Sequence, residues 1–105
     1  MPKYVLISNH PPNTCPSASA AARKRGDALE KELPPLMQKH QLKPELMVHL
    51  DPGHKVLFVL EGPSAEAVRD FVYESGLLQW NDFEFHLAST LDWITQVTDK
   101  LPTIF

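Results

Sequence analysis

Apolar and polar positions alternate along this chain in seven blocks of helical or strand period, each of which marks an element. Lys3 to Ser8, "KYVLIS", is a short β-branched and apolar run stopped at Asn9-His10-Pro11-Pro12, which predicts a first strand ended by prolines that cannot donate to a ladder. Ala18, Ala21, Ala22, Ala28, Leu29 and Leu33 then keep one face of a helix apolar, behind a cap at Ser17 or Ser19. Pro34 and Pro35 interrupt this pattern and predict a kinked or restarted helix through Leu36, Met37 and His40, until Pro44 excludes further helix. The stretch "ELMVHLDPGHKVLFVLEG" predicts two strands joined at Asp51-Pro52-Gly53-His54, where Pro then Gly suits the central positions of a type II turn. Ser64 caps a second helix with Val68, Phe71 and Val72 on its buried stripe and Gly76 at its end. "DFEFHLA" alternates cleanly as a fourth strand, and Ser89 or Thr90 opens a last helix on Leu91, Ile94 and Val97.

The order strand, helix, strand, strand, helix, strand with an added C-terminal helix predicts an α+β, ferredoxin-like β-α-β-β-α-β domain covering residues 1–105. Right-handed crossovers give an antiparallel sheet in the order 4-1-3-2. A thioredoxin-like fold also runs from a strand through a loop cysteine into a helix, but it places a parallel strand and another helix before its hairpin. Here the first helix leads straight into the hairpin.

Composition narrows the classes of function. A chain of 105 residues fits one domain, and 43% hydrophobic with 22% charged residues is ordinary for a globular protein. The net charge of −3, with Arg23-Lys24-Arg25 the sole basic cluster, argues against nucleic acid as a partner. No apolar run approaches membrane-spanning length. A single cysteine needs no oxidising compartment, and the N-terminus shows no secretory pattern, so the expectation is a cytoplasmic protein.

The hairpin raises the question of what covers the second face of the sheet. Pairing residue 49 with 56 and 47 with 58 puts Leu46, Val48, Leu50, Leu57 and Val59 on one face and Met47, His49, Asp51, His54, Val56, Phe58 and Leu60 on the other. Both are largely apolar, while two helices cover one face only, which predicts a homodimer with a second copy over the face bearing Met47, His49 and Phe58. In element order and two-faced patterning the chain resembles the dimeric α+β barrel superfamily. That resemblance implies two sheets packed face to face, and it embraces cofactor-free monooxygenases, muconolactone-isomerase-like enzymes, haem-degrading proteins and small nickel-binding proteins.

Five residues carry the candidate chemistry. His10 and Cys15 offer nitrogen and sulfur donors suited to nickel, copper or zinc within a proline-stiffened loop, and Glu84 is a candidate third metal ligand. With Phe83, Phe85 and Leu87 toward the helices, Glu84, His86 and Ala88 face a barrel interior shared with Tyr4, Leu6, Ser8 and His10. His49 and His86 are candidate acid/base catalysts for a small-molecule substrate in a monooxygenase- or isomerase-like reading. Cys15, just ahead of a helix, is also a candidate reactive thiol. Strand direction is expected to gather His10, Cys15, Glu45 and Glu84 where the first strand finishes, and His49, Asp51, His54 and His86 where it starts. Each candidate also has a plain structural role: a turn former, a satisfied strand histidine, or a small residue under a helix.

Overall fold

In a computed structural model describing residues Met1–Phe105, the strands are β1 (Lys3–Asn9), β2 (Lys43–Leu50), β3 (Lys55–Glu61) and β4 (Asp82–Ala88), and the helices α1 (Ala20–Lys39), α2 (Ala65–Glu74) and α3 (Leu91–Val97). The sheet is antiparallel in the order β2-β3-β1-β4, the expected ferredoxin-like order read from its other edge. Serine and threonine side chains start every helix: Ser19 accepts from the Ala22 N–H, Ser64 from Ala67 and Thr90 from Trp93. No helix is long and apolar enough to cross a membrane.

The core fills the space between α1, α2 and one face of the sheet. Tyr4, Leu6, Phe58 and Leu60 rise from β1 and β3 to meet Met37, Leu42, Val68 and Phe71. Leu6, Leu60, Val68 and Phe71 are fully buried, each contributing about 1.5–3 kcal/mol of apolar transfer. The hairpin register is as expected, Met47 opposite Phe58 and His49 opposite Val56. The turn differs: Gly53 has φ 156°, far from the roughly +80° that a type II turn needs at that position, and the Asp51–Pro52 peptide is cis.

Two expectations are corrected. The first helix continues past Pro34 and Pro35 as expected, but it does not restart there: α1 is one helix from Ala20 to Lys39, with His40 at its cap. Each interior proline costs about 3 kcal/mol or more. Anchors on the C-terminal side hold the helix together: Met37 is buried in the core, and Glu74 of α2 accepts from Lys39 and meets His40 at 3.0 and 3.1 Å. The second correction concerns the faces. Leu6 pairs with both Phe58 and Phe85, so Tyr4, Leu6, Ser8, Phe58 and Phe83 all point to the helix side. The open face carries instead Val5, Ile7, Leu46, Val48, Leu50, Leu57 and Val59, with Glu84 opposite Ile7 and His86 opposite Val5. Phe58 is thus buried beneath the helices, and Met47 and His49 sit half-exposed beside α1 on the edge strand.

Candidate functional site

The loop after β1 makes the site. Pro11 and Pro12 end the strand, Pro12–Thr14 forms one 3-10 turn, and the chain then places Cys15 beneath the start of α1 at 5% exposure. His10, 7% exposed, extends the β1–β3 ladder by one bond, its N–H donating to the His54 carbonyl at 3.1 Å. That bond brings the first residue past β1 against the last residue of the hairpin turn. The imidazole rings of His10 and His54 lie 5.5 Å apart edge to face, and Trp80 lies 6.0 Å from His10 on another side.

One ligand atom from each of His10, Cys15 and His54 lies within 4.8 Å of the other two. The His10 imidazole is committed on one side only. The Asn81 side chain donates to the Leu77 carbonyl at 3.0 Å, which turns its Oδ1 toward His10 Nδ1 at 3.2 Å. An amide oxygen can only accept, so His10 carries its proton on Nδ1 and presents the lone pair of Nε2. His10 Nε2 and His54 Nδ1 are both buried without a hydrogen-bond partner, as is Trp80 Nε1. Ser17 Oγ lies 2.9 Å from Cys15 Sγ. Hydrogen bonding from the Ser17 hydroxyl first, and from the Ser17 backbone N–H, holds the Cys15 thiol well below its usual range, at about 6.

Beside these residues α1 stands off the sheet and leaves a chamber of about 490 Å³. Gly26, Leu29, Glu30 and Leu33 of α1 form one wall; Ser8, His49, Val56 and Phe58 of the sheet form the other; His10, Cys15, Trp80 and Asn81 lie where β1 finishes.

His10 and Cys15 come together as their spacing suggests. Glu84 does not join them: it lies on the open face of β4 with its carboxylate 3.2 Å from His86. Glu45 sits at the far end of the sheet, paired with Lys3 at 3.0 Å. His54 takes the place beside His10, contrary to the expected grouping by strand ends. Since β3 runs antiparallel to β1, its first residues lie against the last of β1. His49 lines the chamber and meets Asp51 Oδ1 at 2.6 Å, whereas His86 is on the other side of the sheet. Asn81 gave no signal in the sequence, because its role depends on a contact across 71 residues.

No protein-family model and no curated protein sequence matches the chain. Solved structures do resemble it. The de novo designed protein Ferredog-Diesel superposes with a TM-score of 0.51 at 11% identity, over 82% of this chain and 84% of its own. The C-terminal domain of the MgtC protein from Mycobacterium tuberculosis gives 0.49 at 11% identity, over 83% and 86%. A REP-associated tyrosine transposase bound to a REP hairpin gives 0.47 at 14%, over 91% and 62%. The class defined is the ferredoxin-like α+β fold.

Proposed function

We propose that this chain binds a transition metal ion through His10 Nε2, Cys15 Sγ and His54 Nδ1. The observation that carries the reading is that His10, Cys15 and His54 each bring a ligand atom within 4.8 Å of the other two, while each imidazole also holds a buried nitrogen without a hydrogen-bond partner, Nε2 of His10 and Nδ1 of His54. Leaving a buried polar atom unsatisfied costs roughly 1–3 kcal/mol, and a metal ion would relieve two such atoms at once. Two imidazoles with one thiolate suit zinc, copper or nickel, and the Asn81 contact is the kind of support that metal-bound histidines receive. No acid from β4 takes part, so Glu84 drops out of the ligand set.

The test is metal analysis and competition titration of tag-free protein with zinc, nickel and copper. Wild type should bind one ion per chain, and His10→Ala, Cys15→Ser and His54→Ala should each weaken binding at least about a hundredfold, as expected for a lost first ligand among three. Wild type with no measurable affinity for any of the three metals would end the proposal, and so would a His54→Ala variant that binds as wild type does.

The fold and the apolar open face of the sheet also support assembly as a homodimer of the dimeric α+β barrel kind.

A further inference from the structure

Resting on the metal reading above, we infer that the ion at His10, Cys15 and His54 keeps one coordination position open toward the chamber under α1, and that a small organic molecule with one metal-coordinating head and an apolar body occupies it. Three observations lead there. First, the donor cluster stops at three, whereas a closed structural site of this type takes four protein ligands. Second, two of the three donors, His10 and Cys15, also line the chamber, so a fourth ligand arriving from it reaches the metal directly. Third, the chamber is held open by sequence. Gly26 lies inside α1, where glycine is unfavourable, and no tight contact requires it: a β-carbon there would meet only the Pro16 side chain, at an ordinary 3.9 Å. Both Gly26 and Pro16 belong to the chamber wall, so what the missing side chain spares is the chamber. Leu29, Leu33 and Phe58 supply the apolar surface, which selects the body of the ligand, while the metal selects its head.

The experiment uses the cobalt(II)-loaded full-length protein, titrated with imidazole and with 4-phenylimidazole while its visible ligand-field spectrum is followed. Both should alter the spectrum, and 4-phenylimidazole should bind at least about tenfold more tightly because its second ring leaves water for the chamber. Gly26→Phe should retain cobalt affinity and the response to imidazole but lose the preference for the larger ligand. Leu33→Phe, narrowing the same chamber from a half-buried position, should shift the preference the same way, which guards against a folding defect in either variant. Failure to bind cobalt at all would remove the metal reading itself. Cobalt bound with a spectrum indifferent to both ligands would mean a closed coordination sphere, completed by Glu30, His49 or Ser17, and would overturn the inference. Equal affinities for the two ligands in wild type would overturn the chamber as the ligand's seat.

Discussion

Asn81 meets His10 through a single atom. Its Oδ1 accepts from His10 Nδ1, and this decides which His10 nitrogen faces Cys15 and His54. Asn81→Ala removes the acceptor and leaves the ring free to take the other tautomer, so metal affinity should fall by about 10–100-fold, the usual loss when a supporting partner of a metal-bound histidine is removed. Asn81→Asp keeps an acceptor for His10 Nδ1 but loses the donor to the Leu77 carbonyl, so it should recover only part of the loss; equal weakening in both would assign Asn81 a purely structural role. The Cys15 thiol gives a second measurement. With its protons leaving at about 6 rather than 9.0, the ultraviolet thiolate absorbance of metal-free protein should rise through about pH 6. The sign of the stability change follows. Between about pH 6 and 9 the unfolded chain holds a proton on Cys15 that the folded chain has released, so stability from this group rises with pH and is lost as pH falls through about 6. Cys15→Ser should flatten that segment of the melting-temperature profile.

Among the elements, α1 departs most from ordinary helix chemistry, with Gly26, Pro34 and Pro35 all in its interior. The positions differ in what they do. Gly26 has open space before it, so Gly26→Ala should raise stability by roughly 0.5–1 kcal/mol, read as a higher denaturant midpoint with an unchanged slope. A loss of stability would mean that the helix is packed more tightly at that point than the 3.9 Å approach to Pro16 indicates. The periodicity of the sequence made α1, α2 and the four strands legible, because each buries one stripe or one face. It left open at Pro34 whether the helix restarts, and the distant contacts of Met37, Lys39 and His40 hold the segment as one helix. The candidate site was half legible. His10 and Cys15 stand five residues apart and declare themselves. His54 required the antiparallel β1–β3 pairing to be followed to its end, and Asn81 required the turn after α2 to be placed over the end of β1. β1 and the hairpin show the cost of a parity error: Glu84 and His86 face away from the helices as their alternation indicates, but Tyr4, Leu6, Ser8, Met47 and Phe58 lie on the helix side, and a shift of one residue carries a side chain to the opposite face.

At the scale of the whole molecule, two apolar surfaces have no partner within the chain. One is the open face of the sheet, where Leu46, Val48 and Leu50 are 44%, 37% and 38% exposed. The other is the C-terminal arm: α3 contributes no buried residue, Trp93, Ile94 and Leu101 are about half exposed, and Ile104 and Phe105 are fully exposed. The whole molecule is 53 Å long with a radius of gyration of 16.3 Å, against about 13 Å for a compact chain of this length. Apolar areas of this kind on one chain point to a common solution, a twofold pairing in which each copy's sheet face and arm are covered by the other. Wild type should therefore sediment with twice the mass of the 11.9 kDa chain at micromolar concentration. A Val48→Glu, Leu50→Glu double variant, which sets four carboxylates into the paired faces, should sediment as a single chain. His10, Cys15 and His54 lie beyond the opposite side of the sheet, so this variant should keep its metal affinity. Loss of metal along with dimerisation would instead mean that the partner copy closes the site. Wild type running as a single chain at hundreds of micromolar would leave the apolar face to some other occupant and remove the pairing.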